Sequence, residues 1–223
     1  MRACIVIPVH NEAESIGNIV TNLKRKPSFV VVVDDGSSDG SGNIAREKGA
    51  VVIRNDEKKG KGRSLQRGFE YVLNQNFDCV ITMDGDGQHD VDDIEQFLKQ
   101  AKVQPLCIIT GNRMQDHQGM PRVRLWTNRL MSALISMVCR QRIPDTQCGF
   151  RLIPCAVLKE LTLFSSDFEI ETEVLIKASK KNFKITSVPI KTIYRDELSK
   201  INPVIDTFRF IVYIIKEMWT SKS

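Results

Sequence analysis

Short, solidly apolar runs alternate with stretches of helical periodicity through the first half of the chain. Residues 3–8, 29–33, 51–54, 79–83 and 106–110 read as strands. Helices are expected between them, over 41–48, 62–74, 91–102 and a first one running to about Arg25. Asn11 followed by Glu14 resembles a capping box opening that first helix. Strands that are apolar throughout, and separated by helices, predict an α/β fold with a mainly parallel sheet flanked by helices on both faces. The second half is less regular. Helices are expected over 123–139 and 166–181, a strand over 184–188, and a final amphipathic or largely buried helix over 203–219. Residues 145–152 read as an irregular segment between helices.

In such sheets a ligand lies across the carboxyl ends of the strands. Four polar clusters fall there: residues 8–12, 34–39, 84–88 and 111–113. Asp84-Gly85-Asp86-Gly87-Gln88 is the most informative. Two carboxylates and an amide, spaced by glycines at a strand's mouth, suit a divalent cation that also holds a ligand's phosphates. Oxygen ligands favour Mg²⁺ or Mn²⁺ over a soft metal. The plain alternative is an acidic turn. A calcium loop fails at Gln88, where Asp or Asn is wanted, and at His89, where glycine is wanted.

The other clusters each allow two readings. Asp34-Asp35-Gly36-Ser37-Ser38-Asp39 is either a turn with a helix cap or a carboxylate group for a ribose or base. Gly40-Ser41-Gly42-Asn43-Ile44-Ala45 fits the dinucleotide fingerprint formally, but it follows the second strand at a distance, which argues against NAD or FAD. Residues 58–63, centred on Lys61, are either a phosphate cradle whose glycines admit the ligand or a solvated basic loop, and no Walker spacing is present. Arg113, directly after a strand, can hold a phosphate bidentately. His10, His89 and His117 lack a zinc-ligand spacing; His10 suits a base pocket, His89 a supporting position and His117 the surface.

Composition narrows the setting. A chain of 223 residues, 42% apolar and 26% charged, supports one substantial core. A net charge of +5, scattered along the chain, does not argue for nucleic acid but is compatible with a nucleotide, a phosphorylated acceptor or an anionic bilayer face. Six cysteines without C-x-x-C pairing read as reduced thiols in a cytoplasmic protein. No signal peptide is expected, and no run approaches the roughly 20 apolar residues of a spanning helix.

Pro8-Val9-His10-Asn11-Glu12, Asp34-Asp35-Gly36-Ser37, Asp84-Gly85-Asp86-Gly87-Gln88 and Asp145-Thr146-Gln147-Cys148-Gly149-Phe150-Arg151 together resemble the family 2 glycosyltransferases. The nearest branch looks like the dolichol-phosphate mannosyltransferase and polyprenyl-phosphate glycosyltransferase group, over essentially residues 3–200. The resemblance implies a GT-A fold with a Rossmann-like nucleotide-binding half. It also implies an inverting transfer of a hexose from a GDP- or UDP-linked sugar, dependent on Mg²⁺ or Mn²⁺. By the same resemblance Pro8, Glu12 and Asp35 frame the nucleoside, with Asp84 near nucleotide and metal, and Asp86 and Gln88 contact the metal. Arg113 and Arg124 match arginines that hold phosphate, and Arg195 and Lys200 match a basic acceptor loop near the bilayer. His10 replaces the family's usual aromatic residue, and the spanning C-terminal extension of many relatives is missing.

The expected catalytic domain covers residues 1–202, with 203–223 a helix packed on it or lying at the cytoplasmic membrane face. A polyprenyl phosphate acceptor arrives ionised and needs no protein base; a hydroxyl acceptor needs one, with Asp145 the first candidate and Glu169 or Glu171 next. Glu171 alternatively pairs with Arg151, itself a candidate for the acceptor side. A sugar-phosphate nucleotidyltransferase is the competing enzyme class. It would show a basic glycine-rich loop after the first strand, where residues 8–12 stand instead.

Overall fold

The computed structural model of the protein describes residues 1–26, 28–115, 120–191 and 193. These all belong to a compact unit of residues 1–193. His117, Arg195, Lys200, the boundary after residue 202 and the expected helix over 203–219 lie outside the described residues.

Seven strands form one sheet: β1 (Ala3–Val9), β2 (Phe29–Asp35), β3 (Val51–Asn55), β4 (Cys79–Thr82), β5 (Ile108–Asn112), β6 (Arg151–Pro154) and β7 (Ile185–Pro189). Their spatial order is β3-β2-β1-β4-β6-β5-β7. All pairs are parallel except those of β6, which runs antiparallel between β4 and β5. The helices are α1 (Ala13–Lys24), α2 (Ser41–Glu47), α3 (Lys61–Leu73), α4 (Ile94–Val103), α5 (Arg122–Cys139), α6 (Cys155–Leu158) and α7 (Glu169–Lys180).

Both faces of the strands are used, which is why they read as continuous apolar runs. Ile5, Ile7, Val30 and Val32 share a core with Ile16, Val20 and Leu23 of α1 and with Phe97 of α4. On the other face, Val6 and Val33 sit so close to Gly68 of α3 that a methyl there would collide with Val6. Pro8 is tolerated in a central strand because the β1–β4 ladder ends at Val6 and Thr82.

Two local expectations change. Asn11 does not cap α1; it adopts a left-handed φ of 57°, tolerated by Asn, and its Oδ1 accepts from the Ser38 N–H at 2.9 Å. The first N–H of α1, on Ala13, donates instead to Asp39 Oδ2 at 2.9 Å. The segment taken as irregular ends in β6. Only Leu152 and Ile153 supply its apolar run, too short for periodicity to register.

Candidate active site at the carboxyl edge of the sheet

Parallel strands β1, β2, β4 and β5 point their carboxyl ends at one edge, and antiparallel β6 begins there, with Arg151 in register with Thr82 and Thr110. Residues 145–151 therefore reach the same edge as residues 8–12, 34–39, 84–88 and 111–113.

The β1 and β2 loops are stitched together. Asn11 N–H donates to Ser37 Oγ at 3.0 Å, Glu12 N–H to Ser41 Oγ at 2.8 Å, and the Ser41 hydroxyl to Asp39 Oδ1 at 2.5 Å. His10 Nδ1 stands 2.8 Å from the Asp35 carbonyl, which can only accept, so this nitrogen carries the proton. Asp34 is buried and paired with Arg54. Buried Asp35 accepts from Asn55 Nδ2 at 2.6 Å and from the N–H groups of Lys59 and Gly60, both at 2.9 Å. Those bonds fix the turn that launches α3 and hence place Lys61.

The glycines flanking Lys61 do not admit a ligand as the cradle reading expected. A Cβ on Gly60 or Gly62 would strike the backbone and side chain of residues 165–167, and Arg63 N–H donates to the Ser166 carbonyl at 3.1 Å. These glycines let the segment before α7 close over α3. The closure brings Glu171, on α7, to Lys61.

Lys61 Nζ lies 2.6 Å from Asp84 Oδ1 and 2.7 Å from Glu171 Oε1. Burial opposes charge on all sides here. It is outweighed at Asp84 by the Lys61 ammonium and a His89 hydrogen bond, which hold the carboxyl well below the usual range. It is outweighed at Lys61 by the two carboxylates, which raise its ammonium. Asp86 behaves oppositely: burial and the neighbouring Asp84 charge push its carboxyl up, against a hydrogen bond from the Gln88 N–H at 2.9 Å. His89 Nε2 stands 3.4 Å from Asp84 Oδ2, its ring lies against Phe150, and its buried Nδ1 has no partner among the described residues.

Asp84, Asp86 and the partly exposed Gln88 amide could offer a hard, oxygen-only donor set of the kind that suits Mg²⁺ or Mn²⁺. A cation there would relieve the repulsion that raises Asp86. Among the described residues no three acidic, histidine or cysteine groups close around such a metal. Its remaining ligands would come from outside the protein, the habit of Mg²⁺ beside a phosphate substrate.

The arginines and Asp145 are arranged differently from expectation. Arg113 grips Asp145 bidentately, Nε to Oδ2 at 2.7 Å and Nη2 to Oδ1 at 3.0 Å. Asp145 is 0% exposed. Burial would raise its carboxyl, but the Arg113 charge and hydrogen bonds outweigh that and lower it. An enclosed carboxylate held ionised by a guanidinium is poorly suited to take a proton, which removes the reason for choosing Asp145 as a base. Arg151 is 2% exposed and donates to the carbonyls of Cys148 (2.8 Å), Thr146 (2.7 Å) and Glu171. It is the internal brace of residues 145–151, out of reach of an acceptor, and it meets the backbone of Glu171, not the carboxylate. Arg124, on α5, is partly exposed.

Gly149 belongs to the 145–151 motif, but the sequence gives it no task of its own. A Cβ there would lie 2.6 Å from Asp84 Oδ2 and 2.9 Å from Glu171 Oε1, so its bare backbone forms the floor beneath the charged cluster. Its carbonyl accepts from Thr82 Oγ1 at 2.7 Å. A glycine between Cys148 and Phe150, beside a strand start, was the only available signal.

An acid pair lies at the mouth of a central strand, beneath stitched loops at one edge of a mainly parallel sheet, the layout of a GT-A fold. Residues 4–162 match the sequence profile of Glycosyl transferase family 2, and the chain belongs to that family. It is 32% identical over 220 residues to an uncharacterised Methanocaldococcus jannaschii protein, covering 96% of this chain and 90% of that one. It is 28% identical over 215 residues to UDP-N-acetylglucosamine–dolichyl-phosphate N-acetylglucosaminyltransferase of Methanococcus voltae, covering 86% of each. Among solved structures, mannosyl-3-phosphoglycerate synthase of Rubrobacter xylanophilus superposes with a TM-score of 0.76 at 18% identity, covering all of this chain and 75% of that one. That last likeness concerns the fold.

Proposed function

We propose that the protein transfers a hexose, with inversion, from a nucleotide-diphosphate sugar to a polyprenyl phosphate. The observation that carries the proposal is the cluster of Asp84, Asp86, Lys61 and Glu171 at the carboxyl edge of β1, β2 and β4. It is an oxygen-rich cluster suited to a divalent cation, with the Lys61 ammonium beside it, where a diphosphate would lie. Membership of the family supports sugar transfer over nucleotidyl transfer. Similarity to a dolichyl-phosphate enzyme supports the lipid phosphate as acceptor.

Asp84, Asp86 and Gln88 would hold Mg²⁺ or Mn²⁺, which when bound neutralises charge on the departing nucleoside diphosphate. Lys61 adds a second positive charge at the same place, released from its carboxylate partners as donor phosphates arrive. His10 and Asp35 shape the nucleoside end, through the fixed tautomer of the one and the loop held by the other. A phosphate oxygen of the acceptor attacks the anomeric carbon on the face opposite the diphosphate. The new carbon–oxygen bond forms as the old one breaks, and the electron pair leaves on the diphosphate. No protein base is required, in keeping with an Asp145 locked against Arg113. Arg124 is assigned to the acceptor phosphate, as the family resemblance also assigns Arg195 and Lys200; neutral variants of each are expected to raise the acceptor's KM more than they weaken nucleoside diphosphate binding.

The test is incubation of the full chain with GDP- and UDP-sugars, polyprenyl phosphate and Mn²⁺. Release of nucleoside diphosphate supports the proposal. Release of pyrophosphate, from a sugar phosphate and a nucleoside triphosphate, would point to nucleotidyl transfer. Turnover with the unphosphorylated polyprenol would point to a hydroxyl acceptor.

A further inference from the structure

Helix α5 is apolar on two sides. Its inner side buries Asn128, Met131, Ser132, Ile135 and Cys139. Ser132 Oγ accepts from the Thr146 N–H at 3.0 Å and lies 3.2 Å from the Thr146 hydroxyl. The inner side thus holds the segment that carries Asp145. The outer side exposes Val123 (73%), Trp126 (71%), Leu130 (61%) and Met137 (74%). With exposed Ala133 these fall within an arc of about 80° on a helix turning ~100° per residue. Scattered exposed apolar residues are ordinary, but a stripe running the whole length of an 18-residue helix is not.

The charge on α5 says what the stripe faces. The helix contains no Asp or Glu. Arg122 and Arg129 are exposed and border the stripe, and Arg140 follows at the helix end. An apolar arc with an indole, bordered along one side by guanidinium groups on a helix without carboxylates, is the composition of a helix lying in the headgroup region of an anionic bilayer. Trp126 suits that depth because its ring is apolar and its N–H is a donor. A self-association seam would gain nothing from arginines along its border on a helix that carries no carboxylate to answer them across a two-fold.

We propose that the outer face of α5 docks the protein on an anionic membrane surface. Such docking rests for its purpose on the polyprenyl-phosphate acceptor, yet it is measured without turnover. The experiment is flotation of the full chain with phosphatidylcholine vesicles and with mixed phosphatidylcholine–phosphatidylglycerol vesicles, for the wild type, W126E/L130E and R122E/R129E. Both pairs are exposed, so circular dichroism and Tm are expected to match the wild type. The wild type is expected to float with the mixed vesicles. W126E/L130E should lose about tenfold or more in partitioning. R122E/R129E should lose the preference for the anionic lipid. Transfer to a short-chain, water-soluble polyprenyl phosphate should be unchanged in W126E/L130E; its absence in the wild type would count against the acceptor reading while leaving flotation to judge the docking. Flotation of W126E/L130E equal to wild type overturns the proposal. So does failure of the wild type to float. So does a dimer in sedimentation that W126E/L130E dissolves, with no vesicle binding in either.

Discussion

Lys61 Nζ sits 2.6 Å from Asp84 Oδ1, occupying the side of the carboxylate where a divalent cation would compete for it. The pairing is enclosed, with Glu171 as its other partner at 2.7 Å. The site thus carries a built-in cation, one that would have to yield or share if a metal–diphosphate entered.

Removing that ammonium exposes two carboxylates to each other. Lys61→Met is expected to lower stability by about 2–3 kcal/mol, or roughly 5–10 °C in Tm. Mn²⁺ should then raise Tm more in the variant than in the wild type, because the metal no longer displaces an ion pair. Thermal melts with and without Mn²⁺ check this; equal shifts in both proteins would show that Lys61 and the metal do not compete.

Asp86→Asn and Gln88→Ala change groups beyond the end of β4, which carry none of the apolar core. Each is expected to cut turnover by about 100-fold or more, in line with lost electrostatic stabilisation, while Tm stays near wild type. Calorimetry should show weaker metal-dependent binding of the nucleoside diphosphate. Near-normal turnover in both would remove these residues from the mechanism.

Gly149→Ala places a methyl 2.6 Å from Asp84 Oδ2, so the carboxylate or the backbone has to move. The expected result is a fall in kcat of at least about tenfold, since small misplacements at a reacting centre are costly. Activity equal to wild type would mean that the floor of the site is slack.

Asp145 gives a pH signature. Its folded carboxyl is held below the ordinary value of about 3.9. Its contribution to stability is therefore complete above the unfolded value and disappears as pH falls through the folded one. Asp145→Asn removes the carboxylate that Arg113 grips and is expected to cost about 3 kcal/mol near neutrality. Urea melts of the two proteins should begin to converge as pH falls below about 4 and meet only below the lowered folded value. A gap that stays constant into acid would show that the ion pair is not what the substitution removes.

The parallel half of the fold is legible because Val- and Ile-rich strands covered on both faces leave continuous apolar runs, as at Val30–Val33 of β2. The polar clusters are legible too, since in such a sheet whatever follows a strand faces the ligand edge. Strand β6 is not legible, because four residues between an arginine and a proline carry no period. Nor are the tasks of charged residues. Arg113, Arg151 and Asp145 look alike as candidates along the chain, and only the fold shows that Arg113 and Asp145 satisfy each other and that Arg151 braces three carbonyls. Along the chain Gly60 and Gly62 suit either a phosphate cradle or a solvated basic loop. They make room for residues 165–167, a contact about a hundred positions away that composition does not encode.

The most direct measurement is transfer of radiolabelled sugar from a GDP- or UDP-sugar into organic-extractable lipid by the full chain, with polyprenyl phosphate and Mn²⁺. The account predicts label in the lipid phase that requires the acceptor's phosphate, is abolished by chelation and by Asp86→Asn, and carries an inverted anomeric centre by NMR. Labelled product formed equally well from unphosphorylated polyprenol, or with the donor's anomeric configuration retained, would contradict it.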